Sequence, residues 1–209
     1  IKEHYFYHKN YKFQKNISVL GRIEWPIGKK ITPFMRYINE MGLQFGYSII
    51  DDENNVPFTF FYTSNISVQR EFLLQGKLFD IEFPYAAWED IELSYRLKTR
   101  GLQLVYNKNA IGYHHHDISF ASFRKRQEQC GYAAHIFYNI HPELRELLAI
   151  DSCKNHNPII KLNLKLVELF CLFAEKCLPM SFPNFYNLIM NHYYRKGVKK
   201  YRRDFSMKI

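Results

Sequence analysis

Two short runs carry residue types able to do chemistry. In "WEDIELSYRLKTRG", Trp88 precedes the acidic pair Glu89 and Asp90. In "LQLVYNKNAIGYHHH", the consecutive histidines His114, His115 and His116 close an extended stretch. An acidic pair after a tryptophan is an unusual enough start to a helix to ask what it could address. Alternate residues of an extended run project to one side. His114 and His116 can therefore point together at a metal or a phosphate, with His115 turned away. Each run also has an ordinary structural reading. Acids at a helix start are stabilised by exposed N–H groups and the macrodipole, and adjacent histidines can simply be exposed loop residues.

The elements around these runs can be read from periodicity. "WEDIELSYRLKTRG" has acids in its first turn, a basic last turn and Gly101 as a stop, with Glu92 and Arg96 spaced to pair. "LQLVYN" reads as a strand and Asn107 to Asn109 as a turn. Upstream, "ISVLGRIEW" alternates, with Ile17, Val19, Ile23 and Trp25 on one side of a half-buried strand. "ITPFMRYINEM" reads as a helix with Thr32 as N-cap, Pro33 in its first turn and Phe34, Tyr37, Ile38 and Met41 as its apolar face. "FTFFYTSN" reads as a short aromatic strand. A helix follows, capped by Ser64 or Asn65, with Val68, Phe72 and Leu73 apolar and Gly76 at its end. Long helices are expected over 119–138, 158–178 and 184–203, with another near 142–150. Strands and helices alternate first and helices alone follow, so the expected fold is α/β with a helical C-terminal extension.

Composition bounds the rest. The chain has 209 residues, 47% hydrophobic and 17% aromatic, enough to bury the core of one domain or of a domain with an appendage. No linker, repeat or low-complexity run divides it. Cys130, Cys153, Cys171 and Cys177 lack metal-site spacing; Cys171 and Cys177 lie in an apolar helical stretch and read as buried free thiols, which favours a reducing compartment. The formal net charge is +9, and much of it lies in Arg195, Lys196, Lys199, Lys200, Arg202, Arg203 and Lys208, opposed there only by Asp204. Such a tail suits an anionic membrane surface, or it is a solvated helix end. Tyr193, Tyr194 and Tyr201 raise nucleic acid as a partner, but the charge is confined to the tail and no nucleic-acid motif is present. No signal peptide is visible. The apolar region 159–178 is interrupted by Lys161, Lys165, Glu168, Glu175 and Lys176, which favours a packed or interfacial helix over a membrane span.

The order of these motifs resembles the second half of a family 2 glycosyltransferase with the GT-A fold. "YTSNISVQREFLLQGKLFDIEF" is similar to the family's Asn-x-Ser-x-x-Arg helix and the Gly-x-Phe-Asp-Glu-x-Phe turn, through Asn65, Ser67, Arg70, Gly76, Phe79, Asp80 and Phe83. Ile81 departs from the usual Glu. "WEDIELSYRLKTRG" resembles the Glu-Asp segment, and "LQLVYNKNAIGYHHH" the strand, turn and histidine that follow it. The similarity covers roughly residues 15–140. It implies a partial GT-A fold over 1–140 and a basic helical extension over 141–209. The family's nucleotide-binding half, with its Asp-x-Asp motif, has no counterpart; Asp51 and Asp52 of "IIDDENN" lie too late and read as a loop. The resemblance therefore implies a partial enzyme that is inactive by itself. An alternative is a non-catalytic half-domain pairing with a separate nucleotide-binding half.

The resemblance also implies roles. Inverting transfer needs a base for the acceptor hydroxyl and positive charge on the departing diphosphate. Asp90 matches the base, and Glu89 is a neighbour that can bind the acceptor. Trp88 offers a face to a sugar ring or is core. Thr63, Ser64 and Asn65 would face the donor sugar, unless Asn65 only caps a helix. His114, and less directly His116, would lie near the diphosphate and a divalent metal, Mg or Mn. Arg124 and Arg126 would close over the diphosphate or form a solvated helix face. The implied partners are a nucleotide-sugar donor, a glycan or lipid-linked acceptor and an anionic membrane, with no nucleic acid. The implied location is cytoplasmic, peripheral on the inner face of the cell membrane, in polysaccharide or cell-envelope biosynthesis.

Overall fold

A computed structural model describes residues 1–44, 46–152 and 158–206, so Cys153 and Lys208 lie outside the described residues. Along the chain come helix α1 (Lys2–Asn10), strand β1 (Ile17–Glu24), helix α2 (Pro33–Glu40), strand β2 (Ile66–Val68) and helices α3 (Arg70–Leu73) and α4 (Glu89–Lys98). Strand β3 (Gln103–Tyr113) and helices α5 (Phe120–Ile140), α6 (Pro158–Cys177) and α7 (Pro183–Ser206) complete the order. The architecture is mixed α/β. Two compact units divide it. The first holds Ile1–Lys30, Ile38–Ile81 and Glu89–His116; the second holds Ile31–Tyr37, Glu82–Trp88 and Asp117–Ile209.

The first unit is built on a three-stranded sheet in the order β2-β1-β3. β2 runs antiparallel to β1, with Leu20 opposite Ile66, and β3 runs parallel to it, with Ile17 opposite Gln103. Both faces of the sheet are covered. Leu20, Leu104 and Tyr106 pack with Phe61, Phe72, Leu93 and Leu97. Ile17, Val19 and Val105 lie under Tyr7 and Tyr11. β1 is therefore buried continuously from Ile17 to Gly21, where the alternation had suggested a half-buried strand. The second cover is α1, which the sequence reading did not anticipate. Its apolar pattern is weak, and it is held by polar contacts: Tyr7 Oη donates to Tyr106 O at 3.1 Å, and the rings of His4 and His8 lie 2.9 and 2.8 Å from Ser67 Oγ.

Three further expectations change. "FTFFYTSN" forms 3-10 turns at Phe58–Phe60 and Thr63–Asn65, and the strand comes after it, at Ile66–Val68. Pro57, with φ −56°, starts the first turn, and its carbonyl accepts from Phe60 N at 3.0 Å. The helix expected before Gly76 shrinks to α3, leaving Val68 in β2. β3 also runs straight through the expected turn at Asn107–Asn109. There it bulges: Gly21 pairs with Asn107 but Arg22 with Ile111. The turn chemistry survives locally, since Asn109 N donates to Asn107 Oδ1 at 3.0 Å. Asp51 and Asp52 are exposed in a loop, as read from the sequence.

In the second unit, Ser119 and Ser122 form a reciprocal cap at the start of α5. Thr32 caps α2, accepting from Met35 N at 3.1 Å. Phe34 of α2 meets Phe120, Phe123 and Tyr186 edge-on. Met41, expected on the apolar face of this helix, is exposed. The helix expected near 142–150 is replaced by two 3-10 turns, Pro142–Leu144 and Ile150–Ser152. Cys171 is buried, and burial pushes its thiol up to about 11. Cys130 is half-buried and Cys177 is exposed, so the burial read for Cys177 fails: it lies on the face of α6 away from Cys171. Among the described residues, no helix is long and apolar enough to cross a membrane.

α5 and α7 cross at backbone contact. A Cβ on Gly131 would fall 1.9 Å from Tyr194 O, and one on Gly197 would fall 1.9 Å from Glu128 O. No side chain fits there without separating the helices. Gly131→Ala is expected to cost about 3 kcal/mol, the scale of an overpacked interior. Urea unfolding measures this, and an unchanged midpoint would contradict the close crossing.

Candidate functional site

Asp90 sits at the start of α4, where the helix N–H groups are free to bind an anion. Its Oδ1 accepts from Ile91 N at 2.9 Å and its Oδ2 from Thr63 N at 3.4 Å. These bonds favour the ionised carboxylate. Burial and the adjacent Glu89 charge oppose them and win, so Asp90 is pushed up to about 6. The preceding residue, Trp88, has φ +69°, an uncommon conformation for a bulky side chain. Trp88 belongs to the second unit. Its ring packs on Phe137 with centroids 6.1 Å apart, and Nε1 donates to Cys130 O at 3.1 Å. Its local contacts are those of a core residue.

The rest of α4 is anchored by the pair read from spacing. Glu92 is buried and accepts from Arg96 through both oxygens, at 2.7 and 2.8 Å. Arg96 also donates to Lys77 O and, at 2.6 Å, to Leu78 O. The Gly-Lys-Leu-Phe-Asp segment is thereby tied to the helix that carries Asp90.

Thr63 and Ser64 are exposed on the turn that meets Asp90. Asn65 caps no helix. Its Nδ2 donates to Arg22 O at 3.0 Å and Ala110 O at 2.7 Å, and its Oδ1 lies 2.9 Å from His4 Nε2. Its side chain thus bridges β1 and β3 at the bulge and reaches α1, a structural role that leaves little of it for a sugar.

The histidines extend the same end of the sheet. His114 N donates to Glu24 O at 2.9 Å, continuing the β1–β3 ladder past Tyr113. Its ring lies edge-on to Trp25 and to His116, with centroids 6.1 and 5.9 Å away. His116 O accepts from Lys29 Nζ at 3.1 Å, and the same ammonium stands over the Trp25 ring. His114 and His116 are thus brought together. They would supply two donors to a divalent ion, and among the described residues no group of three His, Cys, Asp or Glu side chains converges to complete a site. Imidazole nitrogens suit Mn better than Mg, which prefers oxygen.

Arg124 and Arg126 lie in the second unit on α5. Arg124 pairs with Glu168 and lies over the rings of Phe120 and Tyr193, so it is part of the helix packing. Arg126 is exposed and stands over Phe123.

A cavity of about 500 Å³ opens in the first unit at the carboxyl end of β1, lined among others by Arg22, Glu24, Trp25, Tyr47, Tyr106 and Lys108. In parallel α/β sheets, ligands favour the carboxyl ends of strands. Trp25 connects this cavity to His114. Tyr47 connects it to Tyr62, two rings at 6.0 Å, and hence to the turn that holds Asp90. Sequence reading missed it, because its walls come from residues far apart in the chain. The only local signal was the Lys108-Asn109 interruption in a strand. No protein-family model matches the chain, and neither does any curated protein or solved structure.

The raised carboxyl predicts a pH signature. Between about pH 4 and pH 6, folded Asp90 keeps a proton that the unfolded chain has released, so stability falls as pH rises through that window. Asp90→Asn lacks this loss. Its stability relative to the parent is expected to rise by about 2 kcal/mol from pH 4 to pH 7, from the size of the shift. Denaturant unfolding across that range reads it, and a flat difference would refute the raised pKa.

Proposed function

We propose that this chain serves inverting glycosyl transfer of the family 2 type, from a nucleotide-sugar donor to a glycan or lipid-linked hydroxyl. The observation that carries the reading is Asp90, a carboxyl raised to about 6, on a helix start and held by Thr63 N. A base is most effective when its pKa lies near the working pH. At neutral pH Asp90 is mostly ionised and is more basic than an ordinary aspartate.

In the proposed step, Asp90 takes the acceptor O–H proton. The acceptor oxygen bonds to the anomeric carbon from the side opposite the diphosphate. The bond from that carbon to the diphosphate oxygen breaks, and its electron pair leaves with the diphosphate. His114 and His116 would donate hydrogen bonds to that departing group, and Glu89 would orient the acceptor. A divalent ion, where bound, would neutralise the diphosphate charge. Asn65 serves as a support of the site in this reading, through its contacts with the β1–β3 bulge.

The test is a pair of substitutions in the intact protein, assayed with a panel of nucleotide sugars. Asp90→Asn keeps the shape and cannot accept the proton; kcat should fall about 10²–10⁴-fold with donor affinity unchanged. His114→Ala should weaken donor binding instead. A folded Asp90→Asn protein that retains most of its transfer rate would eliminate Asp90 as the base.

A further inference from the structure

In the second unit, α6 is apolar on two opposite faces. Leu164, Cys171 and Ala174 are buried at 4%, 0% and 0% exposure, yet Leu166, Leu169 and Phe173 are 59%, 55% and 57% exposed. Those three recur at helical spacing and form one outward stripe. A helix that is polar outside needs no partner; this one leaves two leucines and a phenylalanine in water on the face that packing does not use.

The charges of α6 are sorted by face. Both acids turn inward: Glu168 pairs with Arg124 and accepts from Tyr193 Oη at 2.9 Å, and Glu175 accepts from Phe120 N at 2.8 Å. Lys165 and Lys176 are exposed beside the stripe. The stripe continues across the turn into α7. Phe170 packs on Phe182 and Phe185, and Phe185 and Leu188 are themselves exposed. Further along the same face of α7, at helical spacing, stand His192, Arg195, Lys199 and Arg203. The face is apolar in its middle and cationic at its edges, and Asp204 beside it pairs with Arg203.

We infer that this face, centred on Leu166, Leu169 and Phe173 of α6, docks onto an anionic lipid surface. Apolar side chains flanked by lysines are the arrangement that buries in the headgroup boundary while ammonium groups reach the phosphates. The stripe itself offers no hydrogen-bonding group to fix the register of a protein partner, and lipid needs none. On α7, Phe185, Leu188, Ile189, His192 and Tyr193 stand at helical spacing ahead of the basic run, but Ile189 is fully buried. α7 therefore contributes its other edge, and α6 supplies the apolar centre. The inference does not depend on glycosyl transfer.

The experiment is co-sedimentation of the intact protein with vesicles of phosphatidylcholine alone and of phosphatidylcholine with phosphatidylglycerol. Binding is expected only to the second and should weaken as salt is raised. Leu169→Glu and Phe173→Glu should each weaken it about tenfold or more. Lys165→Glu and Lys176→Glu should each weaken it about fivefold or more. All four sites are exposed, so unfolding midpoints should stay near the parent's, and a binding loss counts only for variants that keep it. No binding to the anionic vesicles, equal binding to both, or full binding by Leu169→Glu would overturn the inference. A dimer in sedimentation equilibrium that Leu169→Glu dissociates would also overturn it, by giving the face to a second copy of the chain.

Discussion

The Asn65 amide holds together the end of the sheet from which the candidate site is built. Where β3 bulges away from β1, one side-chain amide donates to both Arg22 O and Ala110 O. The clamp needs space, and Gly21 supplies it: a Cβ there would lie 2.3 Å from Asn65 Nδ2. It also fixes the turn at Thr63–Asn65, and that turn presents Thr63 N to Asp90. Strand pairing, the bulge that carries Lys108 into the cavity and the anchoring of Asp90 are thereby linked.

Asp90 is a balance of opposed effects at one carboxyl. A helix start and two backbone N–H donors would lower its pKa, by the same physics that makes acids common at this position. Loss of water and the Glu89 charge raise it further than those donors lower it. A carboxyl in such a balance is sensitive to its surroundings, and the nearest of these are held rigidly. Arg96 fixes the 77–78 backbone to α4 through a bidentate pair with the buried Glu92, a geometry an exposed pair would not sustain.

The second unit shows a different economy. Gly131 and Gly197 let α5 and α7 touch at the backbone, which brings aromatic side chains into a dense core around Phe34, Phe120, Phe123 and Tyr186. α6 then satisfies its acids inward, on Arg124 and on the first N–H of α5, and leaves lysines and large apolar groups outward.

What the sequence determined by itself was local. Periodicity placed β1, α2, α4, α5, α6 and α7, because amphipathic helices and a strongly apolar strand carry their period in consecutive residues. The cap at Thr32, the Glu92–Arg96 pair and the acidic start of α4 were legible for the same reason: each spans four or five residues. Tertiary structure decided what depends on distant neighbours. α1 has little amphipathic pattern and forms against Ser67 and Tyr106. The aromatic run 58–65 has strand propensity, but Pro57 and packing on Leu20 and Leu104 turn it into 3-10 turns. Asn65 looked like a helix cap and became a bridge between strands, and Asn107–Asn109 looked like a turn and became a bulge. In both cases the partner lay more than forty residues away, where no window of consecutive sequence can reach.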